Sequence, residues 1–169
     1  MIQRSLRIAA GLLLAAGTLL AGGREEDKGE TAEARKLRDR SHAPKAADID
    51  ASATLDALLA KKDKGAFSES KGAAVEGFVV QVEREEDGDD HLVLAPAAGE
   101  TDTRKWVVVE VTPAWQKRSA GLAPVALRKL QGKKVRATGW LYYEPDKGSP
   151  DPRGTRWEIH PVTEISAAK

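Results

Sequence analysis

The chain has 169 residues, room for one ordinary domain with tails, and its 41% hydrophobic and 31% charged residues match a soluble protein. With no cysteine, a disulfide framework, a thiolate metal site and a cysteine nucleophile are all excluded. The net charge of +1 argues against a general polyanion binder, although residues 51–115 carry seven basic and thirteen acidic groups and residues 116–169 eleven and five.

Arg4 and Arg7 precede an apolar run from Ile8 to Gly22, and Ala21-Gly22-Gly23 offers small residues before the charged stretch that begins at Arg24. This is the layout of a secretory signal peptide over residues 1–23, and the run is shorter than the ~20 residues a spanning helix prefers. Leu20-Ala21-Gly22-Gly23 is also similar to a bacterial lipoprotein signal, with glycine where the lipidated cysteine would stand. The expected location is secreted or periplasmic, with membrane contact only through an uncleaved signal segment.

Residues 24–50 alternate charge signs, with Leu37 and Ile49 as the only large apolar residues, which predicts a disordered charged tether. Within residues 51–72 a short amphipathic helix and linker follow. Thr54 can cap the helix, and Leu55, Leu58 and Leu59 form its apolar stripe.

From Ala73 the period becomes two. Strands are predicted at 74–84, with Gly77 marking a bend, a bulge or a close approach, then at 91–95 and 105–112. A helix is predicted at 122–130, and two further strands at 134–143 and 156–165. Three strands, a helix and two strands over 73–166 predict a mainly β fold. It is a five-stranded barrel of the oligonucleotide/oligosaccharide-binding (OB) type, ordered β1-β2-β3-α-β4-β5. An SH3-like barrel is the alternative, but its last strands follow a short turn rather than a helix.

The words VEGFVVQV, HLVL, VVVEVTPAW, LRKLQGKKVRATGWLYYE and RGTRWEIHPVTEI resemble a group of exported bacterial OB-type proteins ending in Trp-Glu-Ile-His-Pro-Val-Thr. The resemblance covers about residues 74–165 and implies the fold without implying an activity. Members of the group often have a longer first hairpin loop with cysteine and histidine, where this chain has only EREEDGDD.

Two sets of residues could carry function. Glu158 and His160 share one strand face, and His91 opens the second strand; two imidazoles and a carboxylate form a metal-ligand set. The alternative is a structural histidine bonded to a loop, or a pH-sensitive partner contact. Arg136, Trp140 and Tyr142, with Arg153 and Arg156, would make a cationic stacking platform beside the loop at 144–155. The same aromatics could simply pack under neighbouring segments. The Glu85–Asp90 run is an oxygen-rich turn without the distal glutamate of a calcium loop, and predicts a solvated hairpin tip.

A catalytic triad and a phosphate loop are not recognisable, and nothing calls for a cofactor. The sequence therefore predicts a non-enzymatic module binding a protein or an extended ligand in the cell envelope. Metal chemistry at His91, Glu158 and His160 is the second reading. Single-stranded nucleic acid is the third, disfavoured by the charge balance and by export.

Overall fold

The computed structural model describes residues 31–144 and 153–168. The predicted signal segment and most of the 144–155 loop lie outside the described residues. Five strands follow the alternating pattern of the sequence: β1 (Gly72–Arg84), β2 (Asp90–Ala95), β3 (Val107–Val111), β4 (Lys134–Tyr143) and β5 (Trp157–Ala167). They close in the order β1-β2-β3-β5-β4, antiparallel except where β3 meets β5 in parallel at Val109 and Ile159. Three meandering strands, a helical crossover and two strands closing on the first make this an OB-type barrel.

The barrel is filled by one side of each strand. Val75 and Val79, Leu92 and Leu94, Val107 and Val109, Val135, Ala137 and Leu141, and Trp157 and Ile159 are fully buried. Of four short helices, α1 (Ala32–Arg38), α2 (Leu55–Ala60), α3 (Pro113–Gln116) and α4 (Pro124–Arg128), the last three send Leu55 and Leu58, Trp115 and Leu127 into the core. The Thr54 hydroxyl caps α2 by accepting from the Ala57 amide. Leu55 of α2 packs so close over Gly77 that a Cβ there would lie 3.1 Å from its Cδ2, so this glycine marks a close approach. The single helix predicted at 122–130 is instead a 3-10 turn (Ala120–Leu122) followed by α4. Pro124 removes an amide and starts a new helix, and the break lets both Leu122 and Leu127 enter the core.

β5 runs through Pro161, as the strand predicted at 156–165 does, and the β4–β5 register is irregular there, on both sides of Gly139. Gly139 faces Val162 so closely that a Cβ would press on the Pro161 carbonyl oxygen, with Ile159 Cγ2 at 2.6 Å and Val162 Cα at 2.9 Å. Gly139→Ala is therefore expected to cost about 1–3 kcal/mol, read as a lower urea midpoint. An unchanged midpoint would mean that β5 can shift away freely.

The composition of 24–50 predicts a free tether, yet its described part runs over the barrel. After α1, Pro44 lies against Gly72, Ile49 pairs with Gly72 in a parallel bridge, and the Asp50 amide donates to the Gly72 carbonyl at 2.8 Å. These contacts are largely polar main-chain ones, which need no apolar side chains. Among the described residues no helix is long and apolar enough to cross a membrane.

Candidate functional site

β2, β3 and β5 lie side by side, with His91 opposite Glu110 and Val109 opposite Ile159. Strand alternation sends Val109 and Ile159 inward and places His91, Glu110, Glu158 and His160 together on the outer face. Most of that face is covered, with His91 at its edge only half-buried. Glu110 is 7% exposed, Glu158 1% and His160 2%, although all three are polar.

Polar partners make this burial possible. Glu110 bridges the two histidines: its Oε2 lies 2.6 Å from His160 Nδ1 and its Oε1 3.1 Å from His91 Nε2. His91 Nδ1 is also 3.6 Å from Glu85. Glu158 lies 4.0 Å from His160 Nδ1, but its hydrogen bond comes from Arg153, which donates from its other end to Glu144. Thus His91 meets His160 through Glu110, a residue the sequence reading passed over, and Glu158 is engaged mainly by Arg153. Tyr142 packs its ring on His160 at 5.5 Å.

The acidic hairpin, predicted as a solvated tip, divides in two. Glu85, Glu86 and Asp87 are exposed, whereas Asp89 and Asp90 turn inward and are buried. Gln116 of α3 holds the turn down, donating to the carbonyls of Gly88 and Val111, both at 2.9 Å. Arg84 pairs with Asp90 at 3.0 Å. Asp89 comes to rest over His160, its Oδ2 3.9 Å from Nε2, and Asp89, Glu110 and His160 present possible ligand atoms within 4.8 Å of one another.

Burial and charge set the acidities in this cluster. Desolvation, with Asp87 and Glu110 nearby, pushes the Asp89 carboxyl up to about 6 against the pull of the histidines. Burial would also raise Glu110, but His160 and His91 outweigh it and hold that carboxyl well below the usual range. Glu158 goes the other way, raised by burial and by Glu110 and Glu144 despite Arg153. Burial disfavours the charged form of His91, yet the hydrogen bond and charge of Glu110, with Glu85 and Asp89, leave its pKa raised.

The platform residues are not gathered into one open surface. Arg136 is exposed near Glu76, at 3.5 Å, while Tyr142 and Arg153 belong to the buried cluster and Arg156 is half-buried before β5. Trp140 is buried under the chain's own residues 40–42. The Arg40 guanidinium lies 4.3 Å above its ring, the His42 ring meets it edge-on at 5.2 Å, and its indole N–H donates to the His42 carbonyl at 2.7 Å. Trp115 of α3 donates to the Arg40 carbonyl at 3.0 Å, under the guanidinium of Arg118, which itself donates to the Ser41 carbonyl. Lys71 reaches the Ala47 carbonyl at 3.2 Å. Trp115 and Arg40 carry no sequence mark of this role.

No family model matches the chain, and no curated protein does. Among solved structures, asparaginyl-tRNA synthetase of Entamoeba histolytica is similar over 65% of this chain and 22% of its own, at 15% identity and a TM-score of 0.43. The same enzyme in complex with asparaginyl-adenylate is similar over 63% and 23%, at 14% identity and a TM-score of 0.42. The chain thus spans less than a quarter of that protein. The barrel assignment rests on strand order and closure.

Proposed function

We propose that this protein is an exported, non-enzymatic OB-type module that grips an irregular or extended polypeptide segment across β4 and α3. The observation that carries the reading is how the barrel holds residues 40–47. Four main-chain carbonyls, of Arg40, Ser41, His42 and Ala47, accept from Trp115, Arg118, Trp140 and Lys71. Side-chain donors reading backbone carbonyls hold a peptide with little regard to its sequence. One side chain is singled out: Arg40 stacks on Trp140 and donates to the Glu69 carbonyl at 2.6 Å. The preferred ligand is therefore a polypeptide with an arginine for the Trp140 face, and residues 40–47 are its occupant in cis. Support for export is the layout of residues 1–23.

A chain beginning at Asp48 should bind a labelled peptide of residues 38–49 saturably. Trp140→Ala should weaken that binding about tenfold, the scale of one stacked cation and one hydrogen bond. A single-stranded oligonucleotide should leave tryptophan fluorescence unchanged at physiological salt. Absence of saturable peptide binding, or equal binding by the Trp140 variant, would overturn the reading.

A further inference from the structure

The buried cluster contains a mismatch that its own side chains do not resolve. Glu110 is committed to both histidines, Glu158 to Arg153, and Asp90 to Arg84. Among the described residues His160 Nε2 has no hydrogen-bond partner although the residue is 98% buried, the complement of its 2% exposure. It is aimed at Asp89 Oδ2, and 3.9 Å is too long for a hydrogen bond between them. With the Nδ1 hydrogen given to Glu110, Nε2 is the ring nitrogen left to present a lone pair to a metal ion. An unpartnered imidazole nitrogen and a carboxyl oxygen thus face each other away from water, too far apart to satisfy each other directly.

We propose that Asp89, Glu110 and His160 form a site for one divalent transition-metal ion, with His160 Nε2 and the Asp89 carboxylate as direct ligands. The 3.9 Å separation lies just inside twice a metal–ligand bond of roughly 2.1 Å. Glu110 stands within 4.8 Å of the other two and holds the far side of the imidazole, the carboxylate–histidine arrangement that fixes ring orientation in metal sites. One imidazole with carboxylates suits zinc or another borderline divalent ion rather than a soft one. The exposed Glu85, Glu86 and Asp87, in the same turn as Asp89, give this end of the sheet a negative potential that draws cations in. The inference is independent of peptide binding, which uses the Trp115–Trp140 side.

The full chain, purified without a histidine tag and stripped with EDTA, should take up one equivalent of zinc by calorimetry. Asp89→Asn should weaken binding at least about tenfold, while Glu76→Gln, at the exposed Arg136 pair, should bind as the parent does. Because Asp89 sits in a turn, its variant is expected to fold. In the parent protein, imidazole nitrogen spectra should show zinc shifting Nε2 of His160. The proposal is overturned by absence of saturable uptake at millimolar zinc, by undiminished binding in Asp89→Asn, or by a shift confined to His91 or His42.

Discussion

Replacing Glu110 with alanine is expected to destabilise the protein by about 3–5 kcal/mol, the cost of removing one partner from a buried charged network. Both carboxylate oxygens face imidazole nitrogens, the buried His160 Nδ1 at 2.6 Å and the partly exposed His91 Nε2 at 3.1 Å, and Glu110 itself is buried. The truncation leaves two nitrogens without their acceptor and opens a void between β2 and β5. Glu110→Gln preserves the volume and one accepting oxygen, so it should cost less, about 1–3 kcal/mol. Urea unfolding followed by tryptophan fluorescence measures both. A loss below about 1 kcal/mol for the alanine variant would show that the network is solvated rather than sealed.

Trp157→Ala should cost a comparable 3–5 kcal/mol, for a different reason. Its indole is fully buried, meets Phe67 edge-on at 5.4 Å and Tyr143 at 5.1 Å, and donates to the Asp63 carbonyl at 3.0 Å. It therefore fills the barrel and also fastens the linker after α2. Trp157→Phe keeps most of the packing but leaves the Asp63 carbonyl without its donor, so about 1–2 kcal/mol is expected. Near-ultraviolet circular dichroism should flatten in the alanine variant and persist in the phenylalanine one. Equal losses in both would place the energy in the hydrogen bond instead of the ring.

The barrel was legible because its core positions alternate strictly. Val135, Ala137 and Leu141 point inward, with Trp140 and Tyr142 on the opposite side, as period two requires. The crossover was less legible, since the apolar spacing around Leu122 and Leu127 fits one helix as well as two turns separated by Pro124. For the cluster, alternation could place Glu158 and His160 on one face but could not supply register. Only the pairing of His91 with Glu110 shows which acid lies between the histidines. Glu110 sits in a run of valines, where a lone charge reads as the solvent side of a strand; Arg153 and α3 cover that side from a distance. Residues 40–47 escaped hydropathy altogether, because they are held by their carbonyls and not by apolar side chains.

The position of β5 in the circuit also sets an order of events for a chain made or threaded from its N-terminus. β5 is the partner of both β3 and β4, yet it occupies Trp157–Ala167, the last of the five strands in chain order. Until they arrive, β1–β4 can at most form a four-stranded ribbon with two raw edges, its valine-rich interior open to water. Closure of the barrel therefore waits on β5, and is made slower by the sequence distance between β3 and β5. A chain from which Trp157–Ala167 is deleted should remain an open ribbon, recognised by holding chaperones and proteases as unfinished.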